Sequence, residues 1–391
     1  MKRLRVAILT HSTNPRGGVV HALALAEALC AVGHEAVVHA PDPTRGGFFR
    51  NTACPTVSVD AEPVAGGTVG LVRARIDDYL RHFAEPSARD YDVFHAHCGI
   101  GGTALADLTK SGAIPGFVRT VHHIDSFSDP LLAEWQERSI REATRLLCVS
   151  RTWAERLEDE YGTRPVVVGN GVDLATYRAD RSDRDAALRQ RWGLGSGPIV
   201  LSVGGFEARK NTATIVESFA LLRRQHPQAQ LVIAGGASLL DHASYRAICL
   251  EALADHGLDL RPGGPVIATG PLPQADMPAL YRVADVLAFP SWTEGFGLCV
   301  LEAMACGTPV IVSRRPPFTE YLATTDALFV DPADPGDLAR AMAEALGPET
   351  RASLRRAGFA RAAAHSWRAC AERHLAAYAA CTRLTPEPIH A

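Results

Sequence analysis

The chain of 391 residues contains no uninterrupted apolar stretch near the roughly 20 residues that cross a bilayer, which argues against a helical membrane span. The apolar run closest to its start, residues 6–9, is too short for the hydrophobic region of a secretory signal. Its nine cysteines lie scattered from Cys30 to Cys381 without a single Cys-x-x-Cys pair, so neither a disulfide scaffold nor a zinc ribbon is expected. Charge of one sign is also scarce. With 40 basic and 43 acidic residues the net charge is −3, and nucleic-acid binders carry a basic excess. Neither a phosphate-binding Gly-x-x-x-x-Gly-Lys loop nor a Gly-x-Gly-x-x-Gly turn follows the first apolar run. These absences predict a cytoplasmic protein with free thiols and no nucleic-acid partner.

What is present is apolar sequence in short, regular pieces. Hydrophobic residues make up 47% of the chain, enough at this length for more than one buried core. Residues 4–10, largely apolar around the run at 6–9, suit a strand buried on both faces of a parallel sheet. A loop over 11–18 and an Ala/Leu-rich helix over 19–32 follow, with Gly33 placed to end the helix. Further strands are predicted at 34–40, 93–97, 117–121, 146–149 and 166–168, with helical segments between most of them. The rhythm breaks near the Asn170-Gly171 turn and a charged, linker-like stretch over 177–191. It resumes with strands at 199–203, 231–234, 266–269, 286–289 and 310–312. Two doubly wound α/β domains follow from this pattern, over 1–175 and 176–368, with a ligand expected where domains meet.

The most informative segment runs Pro290-Ser291-Trp292-Thr293-Glu294-Gly295-Phe296-Gly297 and continues into a helix carrying Glu302. It begins at the C-terminal end of a strand, where open α/β sheets bind ligands. Gly295 and Gly297 allow close backbone approach near a helix start. Glu294 and Glu302 can address one elongated ligand, and a carboxylate suits paired sugar hydroxyls because it only accepts hydrogen bonds. A second segment, Gly204-Gly205-Phe206-Glu207-Ala208-Arg209-Lys210-Asn211, also joins a strand end to a helix over 212–224, with Asn211 as its N-cap. Two cations beside a helix N-terminus make a diphosphate site.

This sequence resembles the retaining glycosyltransferases of GT-B architecture, specifically a bacterial branch of family 4. The resemblance rests on the Glu294-to-Glu302 spacing within its Pro-Ser-x-x-Glu-Gly-Phe-Gly and Glu-Ala-Met-Ala-Cys-Gly-x-Pro-Val context. It extends to Gly17-Gly18, Asn170-Gly171-Val172-Asp173, Arg209-Lys210-Asn211, Tyr281-x-x-Ala284-Asp285 and Ser366-Trp367. It implies a GT-B fold, α/β, of two Rossmann-like doubly wound domains facing across a cleft. The first would be the acceptor-side domain (1–175, completed by a C-terminal helix over 369–391), and the second (176–368) would bind the nucleotide sugar.

The resemblance further implies residue roles. Glu294 would contact the donor sugar, with Gly295, Phe296 and Gly297, and Glu302 the nucleotide ribose. Lys210 and Arg209 would stabilise the departing nucleoside diphosphate without a metal or other cofactor. Where many members have arginine after the first glycine, this chain has Gly205, so Arg209 would substitute. His122, in Thr120-Val121-His122-His123, matches a histidine that approaches the sugar, a reading preferred to a structural role at a strand end, while His123 replaces the usual aspartate and fits either role equally. Gly17 and Gly18 would form a tight turn reaching donor phosphate or acceptor, and Leu272 would lie beside the base. UDP-, GDP- and ADP-sugars are all compatible donors. The acceptor, a small molecule, lipid or saccharide, is not legible.

Other signals have plainer readings. His95 and His97 share a strand face but show no third metal ligand, so no metal site is expected. Asp90-Tyr91-Asp92 and Asp183-Arg184-Asp185 spell a metal-dependent motif in the wrong settings. The stripe Val69, Val72, Ile76, Leu80 and Phe83 and the Phe48-Phe49 loop could make peripheral membrane contact, but packing accounts for both. The function read here is metal-independent transfer of a hexose with retention. The alternatives are a nucleotide-sugar epimerase of the same architecture and a catalytically degenerate nucleotide-sugar-binding partner.

Overall fold

The short apolar runs become parallel strands covered on both faces. The computed structural model describes residues 2–236 and 243–382. Two units emerge, one from the residues up to Asn170 with the segment from Trp367 onward, the other from Gly171–Ser366. The chain leaves the first unit at Asn170, a few residues before the position read from the Asn-Gly turn.

In the first unit the strands are β1 (Arg5–Leu9), β2 (Glu35–Asp42), β3 (Thr56–Asp60), β4 (Val93–Ala96), β5 (Val118–Val121), β6 (Arg145–Cys148) and β7 (Val166–Val167). All pair in parallel, in the order β3-β2-β1-β4-β5-β6-β7. Alternation along β1 divides the core. Val6 and Ile8 face the helix Gly17–Ala31 and the C-terminal helix Trp367–Thr382, while Ala7 and Leu9 face Ile76, Tyr79 and Phe94. The C-terminal helix supplies Ala371, Leu375, Ala377 and Tyr378 to the first of these cores.

The second unit repeats the plan with β8 (Ile199–Val203), β9 (Gln230–Ala234), β10 (Val266–Gly270), β11 (Val286–Phe289), β12 (Val310–Ser313) and β13 (Leu328–Val330). Their order is β10-β9-β8-β11-β12-β13, again all parallel. In each sheet the winding reverses between two central strands, β1/β4 and β8/β11. Open α/β sheets bind ligands in the crevice that such a reversal leaves at the strands' carboxyl ends.

Several expectations change. The edge strands β3 and β13 were not foreseen, and residues 183–192, read as linker, form the helix Asp183–Trp192 within the second unit. There Arg282 holds Asp185 at 2.6 Å, which accounts for that Asp-x-Asp. Asp92 Oδ2 accepts from the Arg5 backbone N–H at 2.8 Å. Ile76 and Phe83 are buried, Val72 and Leu80 pack against the same core, and Phe48 and Phe49 pack against the other. Among the described residues no helix is long and apolar enough to cross a membrane.

Candidate functional site

The loops after β8 and β11 meet at the second unit's reversal point. After β8 the chain must turn sharply, and Gly204 (φ +131°) and Gly205 (φ +67°) adopt backbone angles that side-chain-bearing residues avoid. A Cβ on Gly204 would stand 2.7 Å from carbons of the Lys210 side chain, so glycine there makes room for that stem. A Cβ on Gly205 would stand 3.2 Å from Gly235 O. A short 3-10 turn, Ala208–Lys210, then aims two cations at the loop from β11.

Both cations reach one oxygen. Arg209 Nη1 and Lys210 Nζ donate to Glu294 Oε1 at 2.6 and 2.7 Å, and Lys210 Nζ lies 4.3 Å from the centre of the Phe289 ring. Glu294 is buried, Lys210 nearly so, and Arg209 about half exposed. Burial by itself would raise the Glu294 carboxyl. Lys210 and then Arg209 overcome it and hold the group below the ordinary carboxylate range. The loops are also tied through backbone, Trp292 N–H donating to Arg209 O at 2.9 Å. Asn211 does not cap the following helix, Thr212–Arg223. Its backbone is left-handed (φ 61°), and its Nδ2 donates instead to Pro290 O and Pro332 O at 3.2 and 2.7 Å. That side chain joins three loops, which is more than a cap does.

Glu302 lies on the helix Leu298–Ala305, which starts directly after Gly297. Gly297 is left-handed (φ 90°), and a Cβ there would meet Phe318 Cε1 at 2.7 Å. Phe296 is buried and stacks on Tyr321, with ring centres 4.4 Å apart, so its side chain supports the loop while its backbone lines it. The Tyr281 hydroxyl donates to Glu302 Oε2 at 2.7 Å. Burial raises the Glu302 carboxyl, opposed by hydrogen bonds from Tyr281 and Tyr177. The two carboxylates therefore differ in kind. One is clamped by cations, and the other is held by two phenols that sequence reasoning did not assign to the site. Leu272 lies half-buried in the loop after β10, the strand next to β9.

The remaining candidates belong to the first unit. Gly17 and Gly18 do not form a separate turn. They are the first two residues of the helix Gly17–Ala31, which begins two residues earlier than expected, and neither has a positive φ. Gly18 lies beside His122: a Cβ on it would meet His122 Cδ2 at 3.4 Å, an ordinary contact. His122 follows β5 and is half-buried. Its Nε2 lies 3.0 Å from His97 Nδ1, and its ring packs edge-on to His21 at 4.8 Å. Burial, then neighbours including His21 and Arg119, pushes the His122 imidazole well below its ordinary value. His123 is exposed beside Asp125, at 3.2 Å. His95 spends both ring nitrogens at 2.7 Å, on the Tyr378 hydroxyl and on Thr120 Oγ1, so it is a packed polar residue. His21, which reasoning from the sequence passed over, stands one helical turn after Gly17.

Two families match this chain. The one described as Glycosyltransferase Family 4 matches residues 15–176, and the one described as Glycosyl transferases group 1 matches residues 185–361. A D-inositol 3-phosphate glycosyltransferase from Pseudarthrobacter chlorophenolicus is 30% identical, over 93% of this chain and 92% of the relative. The protein of the same name from Xylanimonas cellulosilytica is 31% identical over 98% of each. Among solved structures, sucrose-phosphate synthase from Thermosynechococcus elongatus shares the fold, with a TM-score of 0.80 and 22% identity over 98% of this chain and 100% of that one. HepE from Anabaena, in complex with UDP-glucose, does so with a TM-score of 0.76 and 20% identity over 97% and 100%.

Proposed function

Because this chain belongs to the family 4 glycosyltransferases of GT-B architecture, we propose that it moves a hexose from a nucleoside-diphosphate sugar to a small hydroxylated acceptor, keeping the anomeric configuration and using no metal at the donor. The observation that carries this reading is the convergence of Lys210 and Arg209 on Glu294 at the β8/β11 reversal point. Glu294 is the anion that keeps the two cations together. A diphosphate supplies the same charge, taking hydrogen bonds from Lys210 and Arg209 and from the backbone before the helix Thr212–Arg223.

Bond breaking then proceeds as follows. The bond from the anomeric carbon to the diphosphate oxygen lengthens, negative charge collects on the leaving group, and Lys210 and Arg209 stabilise it. The acceptor oxygen bonds the anomeric carbon from the same face, and its proton passes to the departing diphosphate. Glu302 accepts from the ribose hydroxyls, and Leu272 lies beside the base. Glu294 and the backbone of 295–297 orient the sugar.

The UDP-glucose complex of HepE makes UDP-hexoses the first donors to try, and the relatives' name makes a cyclitol phosphate the first acceptor. The test is a metal-free thermal-shift panel of UDP, GDP, ADP and their sugar conjugates on wild type and Lys210→Ala. A ligand at about 100 times its dissociation constant adds about 2.7 kcal/mol to stability, an easily read shift. Stabilisation by one nucleotide class, lost in the variant, is the expected result. No shift at millimolar nucleotide overturns the donor site. Sugar transfer that requires an added acceptor separates this activity from epimerisation.

A further inference from the structure

We propose that the first unit contains a metal site, formed by His21, Cys370 and His374, that takes one zinc-class ion. His21 projects from the helix Gly17–Ala31, and Cys370 and His374 lie one turn apart on the C-terminal helix Trp367–Thr382. One donor atom from each of the three lies within 4.8 Å of the others, and all three side chains are fully buried. An ion with bonds of about 2.0–2.3 Å holds tetrahedral donors about 3.3–3.8 Å apart, so binding contracts the trio by about 1 Å. Side-chain torsions supply such a movement.

The Cys370 thiol donates to Gly169 O at 3.5 Å and its sulfur lies 3.7 Å from His374 Nδ1, contacts it would exchange for the ion, whereas both imidazoles are already held as ligands are. Asn170 Oδ1 accepts from His21 Nδ1, and the Cys370 carbonyl accepts from His374 Nδ1 at 2.9 Å. An acceptor at Nδ1 fixes the proton there and leaves a lone pair on Nε2. Nε2 of His21 and Nε2 of His374 are both buried and have no hydrogen-bond partner among the described residues. Nε2 of the neighbouring His97 is likewise buried without a partner; unsatisfied imidazole nitrogens in a core are costly, and an ion held by the trio would relieve two of the three. Histidine ligands to metals commonly donate their other nitrogen to a carbonyl or carboxylate, and here both do so to an amide carbonyl oxygen.

The donor set selects the ion. Two imidazoles and one thiolate suit zinc(II) or copper(I), and they are a poor set for magnesium or calcium, which require oxygen. The thiolate neutralises a monovalent ion fully and a divalent ion by half. The two ions therefore form separate arms of the experiment. When filled, the site would fasten the C-terminal helix to the first helix, one turn from Gly17-Gly18 and against the His122 ring.

The test uses the full chain, stripped with chelator and titrated with cobalt(II), then zinc(II), and separately with copper(I) under reducing conditions. One equivalent of cobalt should produce a thiolate-to-cobalt charge-transfer band, which zinc displaces. The band should disappear in Cys370→Ser and persist in Cys249→Ser, a control in the second unit. Asn170→Ala, which removes the partner that sets the His21 tautomer, should weaken affinity about 10–100-fold. X-ray absorption of the wild-type zinc or copper form reads the donors even if Cys370→Ser does not fold. One sulfur with nitrogen neighbours supports the site. Absence of a thiolate band in wild type, its survival in a folded Cys370→Ser, or an ion bound by oxygen or by several sulfurs overturns it.

Discussion

At the scale of single residues, the two glutamates eight positions apart make opposite predictions. Glu294 is ionised below the ordinary carboxylate range, because Lys210 and Arg209 outweigh the effect of burial. Its contribution to stability is present above the unfolded-state value and is lost as pH falls through the depressed one. Glu294→Gln is therefore expected to cost about 1–3 kcal/mol near pH 7, with the gap to wild type closing in acid. Glu302 is raised by burial, so its native state favours the proton, and stability declines as pH rises through the unfolded value toward the raised one. Glu302→Gln, which still accepts from Tyr281, should melt at or above wild type at neutral pH and lose that advantage in acid, while binding nucleotide more weakly. Thermal melts across pH with and without nucleotide check both; the same sign of change for both variants would refute the assignment. Lys210→Ala should lower kcat/KM by about 10–160-fold, the loss of one charge-assisted hydrogen bond worth about 1.5–3 kcal/mol. Steady-state kinetics on the donor found by the nucleotide panel decide this.

At the scale of elements, the site depends on loops whose glycines have different tasks. Gly297 ends a loop with a left-handed residue against Phe318, so Gly297→Ala combines backbone strain with a clash and should destabilise by about 1–3 kcal/mol. Gly18 is helical and has no such strain. Gly18→Ala should leave the melting temperature at or slightly above that of wild type, because the new methyl meets His122 Cδ2 at 3.4 Å, an ordinary van der Waals contact, and alanine favours a helix. Thermal melts check this, and a clear loss of stability would show that the methyl does not fit. The edge strands illustrate why some elements were illegible. In β3 only Val59 is buried, so it lacks the continuous apolar run that marks a strand with neighbours on both sides, and β13, though apolar, is only three residues long. The helix Asp183–Trp192 escaped for a related reason, since Leu188 is its only buried residue.

At the scale of the whole molecule, the chain returns to its first unit at the end. Removing residues 367–391 would strip Ala371, Leu375, Ala377 and Tyr378 from the first core. The expected outcome is loss of hydrogen-exchange protection across β1 to β7, with β8 to β13 still protected and still responsive to nucleotide. Protection retained in β1 and β2 would show that the C-terminal helix is dispensable to that core.

The sequence by itself determined the alternation of strands and helices, the family, and the segments 204–211 and 290–302, because strands buried on both faces and ligand loops at strand ends leave local patterns. It also placed Glu294, Lys210 and Arg209 among the candidates, since their types and spacing carry the resemblance. That both cations share one oxygen of Glu294, and that Glu302 rests on Tyr177 and Tyr281, was decided by tertiary structure. So was the meeting of His21 with Cys370 and His374, residues some 350 positions apart. No local spacing records such encounters, because the parallel winding of a sheet and the return of a final helix bring them about.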